Sequence, residues 1–149
     1  MTYHSRQDDY EILSKLSSIS LYIILGFDMA ILITGYLIAQ SGGIMPARNN
    51  LLRNVLFIVA VSELAAMEIV KRSMLSKIGP LAEGQAFDYR QLMPVTVVIA
   101  AMCSAISIYG LVAVILGSEL EVLLIFVAIS LIGYQLFRLR PRDLERLRG

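Results

Sequence analysis

Two acidic side chains, Asp28 and Glu63, stand inside long apolar tracts of the sequence. A charged side chain at the centre of a bilayer costs about 2.5–3.5 kcal/mol even on insertion scales. Two close carboxylates in such a low-dielectric setting share a proton, which is the chemistry of a proton or cation site. The alternative is structural, because a protonated acid can hydrogen-bond a neighbouring helix or subunit and help it to pack.

The positions of the two acids predict similar depths in a membrane. We predict that their tracts form antiparallel neighbouring helices joined by a short loop, so each acid lies about 12 residues, or about 18 Å, from that loop. We therefore predict that Asp28 and Glu63 form one ion- or proton-binding site. The sequence leaves open whether the two side chains face each other.

A third acid, Glu68, has a different pattern. Lys71 and Arg72 follow it at the i+3 and i+4 positions, the spacing of a helical ion pair. This spacing predicts a solvated helix end rather than a site.

Other reactive side chains are scarce. The chain has one histidine, His4, and one cysteine, Cys103. These counts exclude an internal disulfide, a CxxC redox pair and a bis-histidine haem site within one chain. The sequence has no zinc-ligand spacing, no glycine-rich phosphate loop and no GxSxG motif. We therefore expect a protein that is not an enzyme and has no cofactor or metal.

The composition indicates an integral membrane protein. Of the 149 residues, 57% are hydrophobic and 17% are charged, and the mean hydropathy is +0.71. Soluble domains are nearer half apolar and about a quarter charged. The net charge of +1 gives no reason to expect a nucleic-acid partner.

The elements that carry the acids are predicted to be helices. Four apolar tracts lie at about 19–39, 51–70, 92–116 and 120–137. A lone strand in lipid would leave its backbone polar groups unpaired, so each tract is helical. We predict a single all-α domain, an integral membrane four-helix bundle of two transmembrane hairpins. A cytoplasmic amphipathic lead-in, 1–17, precedes it and a basic cytoplasmic tail, 138–149, follows.

Lysine and arginine predict the orientation of these spans. Of the 13 basic residues, only Arg48 and Arg53 lie on the side of the first and third loops. This asymmetry places both termini in the cytoplasm, in the inner (plasma) membrane. Arg138, Arg140 and Arg142 of the tail have two interpretations: a contact with anionic lipid or an acidic partner surface, or only a determinant of topology.

Small residues in the third tract predict close helix packing. Alanine, serine and glycine let helix backbones approach each other in a membrane. The candidate packing residues are Ala100, Ala101, Ser104, Ala105 and Gly110. Small residues also surround Glu63, at Ala60, Ser62, Ala65 and Ala66. Packing within the bundle and a seam between copies of the chain both remain open.

The segment "AAMCSAISIYGLVAVILG", residues 100–117, resembles the outer helix of subunit c, the proteolipid of rotary ATP synthases. The four-span layout is also similar to a group of bacterial membrane proteins related to that proteolipid. The resemblance implies ring assembly and ion transport. The ion-binding carboxylate of the family aligns near Ser104 here, so Glu63 would have to carry the ion.

The expected function is that of a small, non-enzymatic membrane subunit in a homo-oligomer or a larger membrane complex. The alternative is a proton- or ion-translocating ring component, or a small transporter, that uses Glu63 with Asp28. Small four-span multidrug transporters usually rely on membrane tryptophans, and this chain has none.

Overall fold

The computed structural model describes residues 3–41, 50–78 and 89–143, with side chains described at 11–41, 51–78 and 90–143. Four helices make up almost all of it, and these residues contain no strand. The helices are α1 (Tyr3–Gln40), α2 (Asn50–Ile78), α3 (Tyr89–Ile115) and α4 (Leu120–Phe137). The prediction of an all-helical chain is confirmed. The predicted lead-in is continuous with α1, and α2 extends two turns beyond its apolar tract.

The helices α3 and α4 form a tight hairpin at the centre. Gly117 has a φ of 87°, a conformation that glycine adopts without a Cβ clash. Its N–H donates to Val114 O, and the N–H of Ser118 donates to Ala113 O, which closes the end of α3. The chain can therefore reverse between Ile115 and Leu120 with only four connecting residues.

Glycine also lets α3 and α4 approach each other closely. A Cβ built on Gly110 would lie 2.7 Å from Cβ of Phe126 and 3.3 Å from Cα of Leu123. Both atoms belong to α4 and cannot swing away like the end of a flexible side chain. The absence of a side chain at Gly110 thus sets the distance between the two helices.

The outer helices lie on opposite sides of this hairpin. α1 packs against α3 and α4, whereas α2 packs mainly against α3. α1 and α2 hardly contact each other within the described residues. The prediction that the first two helices are packed neighbours is therefore wrong. Since α3 carries small and apolar residues on several faces, it offers a packing surface to every other helix.

The contacts define an up-down-up-down bundle. Near one end, Lys71 of α2 pairs with Asp143, which follows α4. In the middle, Asp28 of α1 meets Ser107 of α3 and Ser130 of α4. Toward the other end, Phe57 of α2 stacks on Phe126 of α4 with ring centroids 4.6 Å apart. The beginning of α1, the end of α2, the beginning of α3 and the end of α4 thus share one end, here called the arginine end.

Three of the described helices, α1, α3 and α4, are long and apolar enough to cross a membrane. α2 is not among them, because Arg53, Glu63 and Glu68 interrupt its apolar part. Large hydrophobic side chains are exposed on all four helices, for example Ile23, Ile58, Val97 and Leu124. An apolar surface of this extent is typical of a protein that meets lipid or other proteins.

Candidate functional site

Asp28 is the most deeply buried acid of the described residues, with 2% of its surface exposed. The Ser107 hydroxyl donates to its Oδ1 at 2.6 Å. The Ser130 hydroxyl lies 3.5 Å from its Oδ2, a long contact. Both serines are fully buried, so the carboxyl joins three helices through hydroxyl groups.

No lysine or arginine of the described residues forms an ion pair with Asp28. An ionised carboxylate so deep in an apolar bundle would carry a large desolvation cost. Two hydroxyl groups compensate only part of that cost. Asp28 is thus a buried acid that is held by hydroxyl groups and by no cation among the described residues.

Glu63 lies on the opposite side of the central hairpin. It is half-buried on α2, and its Oε2 is buried without a hydrogen-bond partner among the described residues. The Tyr109 hydroxyl of α3 interacts with the Glu63 carboxyl. An unpartnered buried oxygen carries a free-energy cost.

The thiol of Cys103 lies near both acids. Cys103 is fully buried on α3, and both Asp28 and Glu63 lie within electrostatic range of it. Its Sγ also lies 3.8 Å from Sδ of Met67 on α2. The two acids thus flank α3 from either side instead of facing each other across an α1–α2 contact.

A second polar cluster, which is partly buried, lies nearer the arginine end. We call it the Tyr134 cluster; it consists of Ser17, Ser20, Tyr134 and Arg138. The Tyr134 hydroxyl donates to Ser17 O at 2.9 Å and is also bonded to the Ser20 hydroxyl. Nη1 of Arg138 donates to Oγ of Ser17 at 3.4 Å.

A small cavity of about 10 Å³ adjoins the Tyr134 cluster. Its polar lining consists of Ser17, Thr96, Tyr134 and Arg138. A cavity of roughly 10–15 Å³ is the minimum that holds one water molecule. The rest of its lining is aliphatic, namely Leu13, Leu16 and Leu139, and its volume lies at the lower limit for one water molecule.

The residues that the sequence marked for helix packing differ in how deeply they are buried. Gly110 and Ala100 are buried within the bundle, Ser104 and Ala105 are half-buried, and Ala101 is exposed. Near Glu63, Ala60 is fully buried, whereas Ser62 and Ala65 are exposed on α2.

The three arginines after α4 are exposed. Arg138 and Arg140 line an open groove of about 460 Å³ with residues of α4. Its remaining lining is mostly aliphatic: Leu131, Ile132, Gln135 and Leu136. Nη2 of Arg140 donates to Gln135 O at 3.2 Å, which holds this guanidinium against the helix. The described residues contain no cluster of three or more metal-ligating side chains.

Comparison of the chain with protein-family models, curated proteins and solved structures gives no significant match. The functional interpretation therefore rests on the geometry of the chain itself.

Proposed function

We propose that the chain is a multi-pass protein of the inner (plasma) membrane in which all four helices cross the bilayer and both termini are cytoplasmic. Three helices have the length and hydropathy of spans. α2 runs antiparallel to α3 through the same bundle, from Phe57 beside α4 to Lys71 at the arginine end. A helix that follows three spans through their length shares their membrane, and Glu63 is only half-exposed there.

Within that membrane, the chain acts as a small, non-enzymatic subunit of an oligomer or a larger complex. The observation that supports this role is the outward face of α2. It combines small side chains at Ser62 and Ala65 with large apolar ones at Ile58 and Ile69, all exposed. A face with small residues lets another helix approach closely. Within the bundle α2 packs mainly against α3, so its outward face is available to a helix of another subunit.

The mass of the detergent-extracted native particle, with the identities of its subunits, tests this role. A particle that contains several copies of the chain or larger partner subunits supports it. Replacing Ala65 with Leu should reduce that mass, whereas Leu at the exposed Ala128 of α4 should leave it unchanged. A monomer of the wild-type chain in mild detergent and in lipid nanodiscs would contradict the proposal.

A second candidate function is proton or cation exchange in a c-type ring component or a small transporter. The buried carboxyl of Asp28 and the unpartnered oxygen of Glu63 favour it. Each carboxyl is a protonatable group at membrane depth, and intramembrane acids commonly mark proton pathways. The resemblance of residues 100–117 to subunit c is the reason for considering a ring component.

Proton flux into liposomes that contain the purified protein tests this second function. Glu63→Gln and Asp28→Asn should each abolish flux while the helical circular dichroism stays intact. Glu68→Gln is the matched control, because Glu68 pairs with Arg72 at the exposed end of α2. Normal proton flux in Glu63→Gln would show that Glu63 does not carry the proton.

The groove beside Arg138 and Arg140 is proposed to hold an anionic phospholipid. Two guanidinium groups suit a phosphate, and the aliphatic lining suits an acyl chain. Native mass spectrometry in phosphatidylglycerol and phosphatidylcholine should show retained phosphatidylglycerol only. Arg138→Gln with Arg140→Gln should lose it, whereas Arg72→Gln should keep it. Equal retention of both lipids would contradict the assignment.

A further inference from the structure

We propose that the groove beside Arg138 and Arg140 recognises the ester linkage of a phospholipid as well as its phosphate, and that Gln135 is the residue that binds the ester. The inference rests on the lipid site proposed above for this groove. It adds a third chemical group to that site. It also names the kind of lipid that fits, a diacyl ester of glycerol phosphate.

Gln135 carries an exposed amide on an otherwise apolar part of α4. Leu131, Ile132 and Leu136 lie around it in the lining of the groove. The side-chain amide forms no hydrogen bond with a described residue, and the bond from Arg140 goes to the backbone oxygen of Gln135 instead. A polar group that enters an apolar environment without a hydrogen-bond partner carries a free-energy cost. In a membrane, this amide therefore needs a partner from outside the chain.

Exposed polar side chains elsewhere on the helices find partners within their own helix. The hydroxyl of Thr34 donates to Ala30 O at 2.8 Å. The exposed amide of Gln40 donates to the Tyr36 hydroxyl at 2.6 Å. Gln135 differs from both in that its amide is left for another molecule.

The two guanidinium groups of the groove are held in place but keep most of their donors. Nη1 of Arg138 donates to Ser17 Oγ at 3.4 Å, and Nη2 of Arg140 donates to Gln135 O at 3.2 Å. A guanidinium has five N–H donors, so each group can also bind a phosphate. The nearby Asp143 pairs with a lysine of α2, and neither arginine forms an ion pair with a described residue. The groove therefore keeps the positive charge that attracts a phosphate.

The order of these groups along α4 matches the order of groups in a glycerophospholipid. Gln135 precedes Arg138 by three residues, or about 4.5 Å along the helix, and Leu131 lies about one turn further in. The interfacial region of a bilayer is about 5–7 Å deep on each side. The ester groups lie in that region, between the phosphate and the acyl chains. A lipid whose phosphate meets the arginines thus presents an ester carbonyl to the Gln135 amide.

The chemistry of the amide selects for an ester. The side-chain NH₂ of Gln135 donates a hydrogen bond, and the carbonyl oxygen of the ester accepts it. A diether lipid with the same phosphate, head group and chain length has no such carbonyl. One hydrogen bond between neutral groups changes an equilibrium by about fivefold. The groove should therefore prefer the diester lipid by about that factor.

Native mass spectrometry of the full-length protein tests this preference, with equal amounts of diester and diether phosphatidylglycerol. The wild-type protein should retain about fivefold more diester. Gln135→Leu, and Gln135→Met with its similar length, should retain both lipids equally and still prefer phosphatidylglycerol to phosphatidylcholine. Gln91→Leu is the matched control, because it removes an exposed amide at the arginine end that lies outside the groove. That variant should keep the wild-type ratio.

The outcomes separate ester recognition from the lipid site on which it rests. If the wild-type protein retains phosphatidylglycerol no better than phosphatidylcholine, the lipid site itself is wrong. If it prefers phosphatidylglycerol but retains diester and diether equally, only the ester recognition is wrong. A diester preference that persists in both Gln135 variants would overturn the role of Gln135.

Discussion

At the scale of single residues, the bundle is organised around hydroxyl groups that meet one carboxyl. Ser107 and Ser130 come from different helices and converge on Asp28. In a membrane, such interhelical hydrogen bonds contribute about 0.6 kcal/mol on average and at most about 1.7 kcal/mol. Asp28 therefore contributes more to the orientation of α1 against α3 and α4 than to the free energy of folding.

A double-mutant cycle measures this contact. Asp28→Ala and Ser107→Ala should show a coupling free energy of about 1 kcal/mol, because each mutation removes the same hydrogen bond. Equilibrium unfolding by SDS in mixed micelles provides the measurement. Asp28→Ala with Ser104→Ala is the matched control, since Ser104 lies on the same helix and is only half-buried. Equal coupling in both cycles would contradict the assigned contact.

The sequence indicated Asp28 because an acid contrasts sharply with an apolar tract. It did not indicate Ser107, Ser130 or Ser20, because serine is common in membrane helices and its partner depends on helix rotation. It did not indicate Tyr134 either, because a tyrosine in an apolar tract also fits simple packing. Its hydroxyl proves to be buried and bonded to α1, which only the packing of α4 against α1 reveals.

At the scale of elements, α3 is the helix that every other helix contacts. Chain order predicted α1 beside α2, but small residues decide the packing instead. Gly110 brings α4 close to α3, and α1 and α2 then fill the two sides. Periodicity and composition could not reveal this, because α3 is apolar around most of its circumference.

Two glycines allow this packing to be tested. Gly110→Ala should destabilise the fold by about 2 kcal/mol, because the new methyl group overpacks against Phe126 and the backbone at Leu123. Gly26→Ala is the matched control, since nothing lies within 4 Å of its Cβ position. That change should stabilise α1 by about 0.5–1 kcal/mol. Thermal unfolding in detergent compares the two, and equal effects would contradict the close α3–α4 approach.

The end of α2 is joined to the segment after α4 by a partly buried ion pair. Nζ of Lys71 lies 2.7 Å from Oδ2 of Asp143. The same Oδ2 accepts the backbone N–H of Arg140 at 2.8 Å, and Asp143 N donates to Arg140 O. Asp143 thus fixes the turn that follows α4 and holds it to α2. The sequence placed Lys71 and Arg72 at ion-pair spacing from Glu68; Arg72 forms that pair, whereas Lys71 pairs with Asp143.

Neighbouring residues on α2 test the importance of this pair. Lys71→Ala should cost about 2 kcal/mol, less than the 3–5 kcal/mol of a fully buried pair, because Asp143 keeps some solvent contact. Arg72→Ala removes an exposed pair and should cost no more than about 0.5 kcal/mol. Limited proteolysis after residue 138 should accelerate only in Lys71→Ala. Equal resistance of the two variants to proteolysis would contradict a structural role for the Lys71–Asp143 ion pair.

At the scale of the whole molecule, the bundle has two unlike ends. The described basic residues concentrate at the arginine end, and Arg53 is the exception near the other end. This asymmetry is the feature of the sequence that determines the proposed orientation. The Tyr134 cluster lies toward the arginine end, so the proposed topology places it on the cytoplasmic side of Asp28.

The central claim is that α2 crosses the membrane with the other three helices. Cysteine labelling in intact cells tests it most directly, in a Cys103→Ala background. Ser41 follows α1 and Ser76 lies in the last turn of α2, so exposed thiols at Ser41→Cys and Ser76→Cys bracket α2 along the chain. A membrane-impermeant maleimide should label Ser41→Cys in intact cells and Ser76→Cys only after the cells are permeabilised. Equal labelling of both thiols in intact cells, or of neither, would contradict four spans.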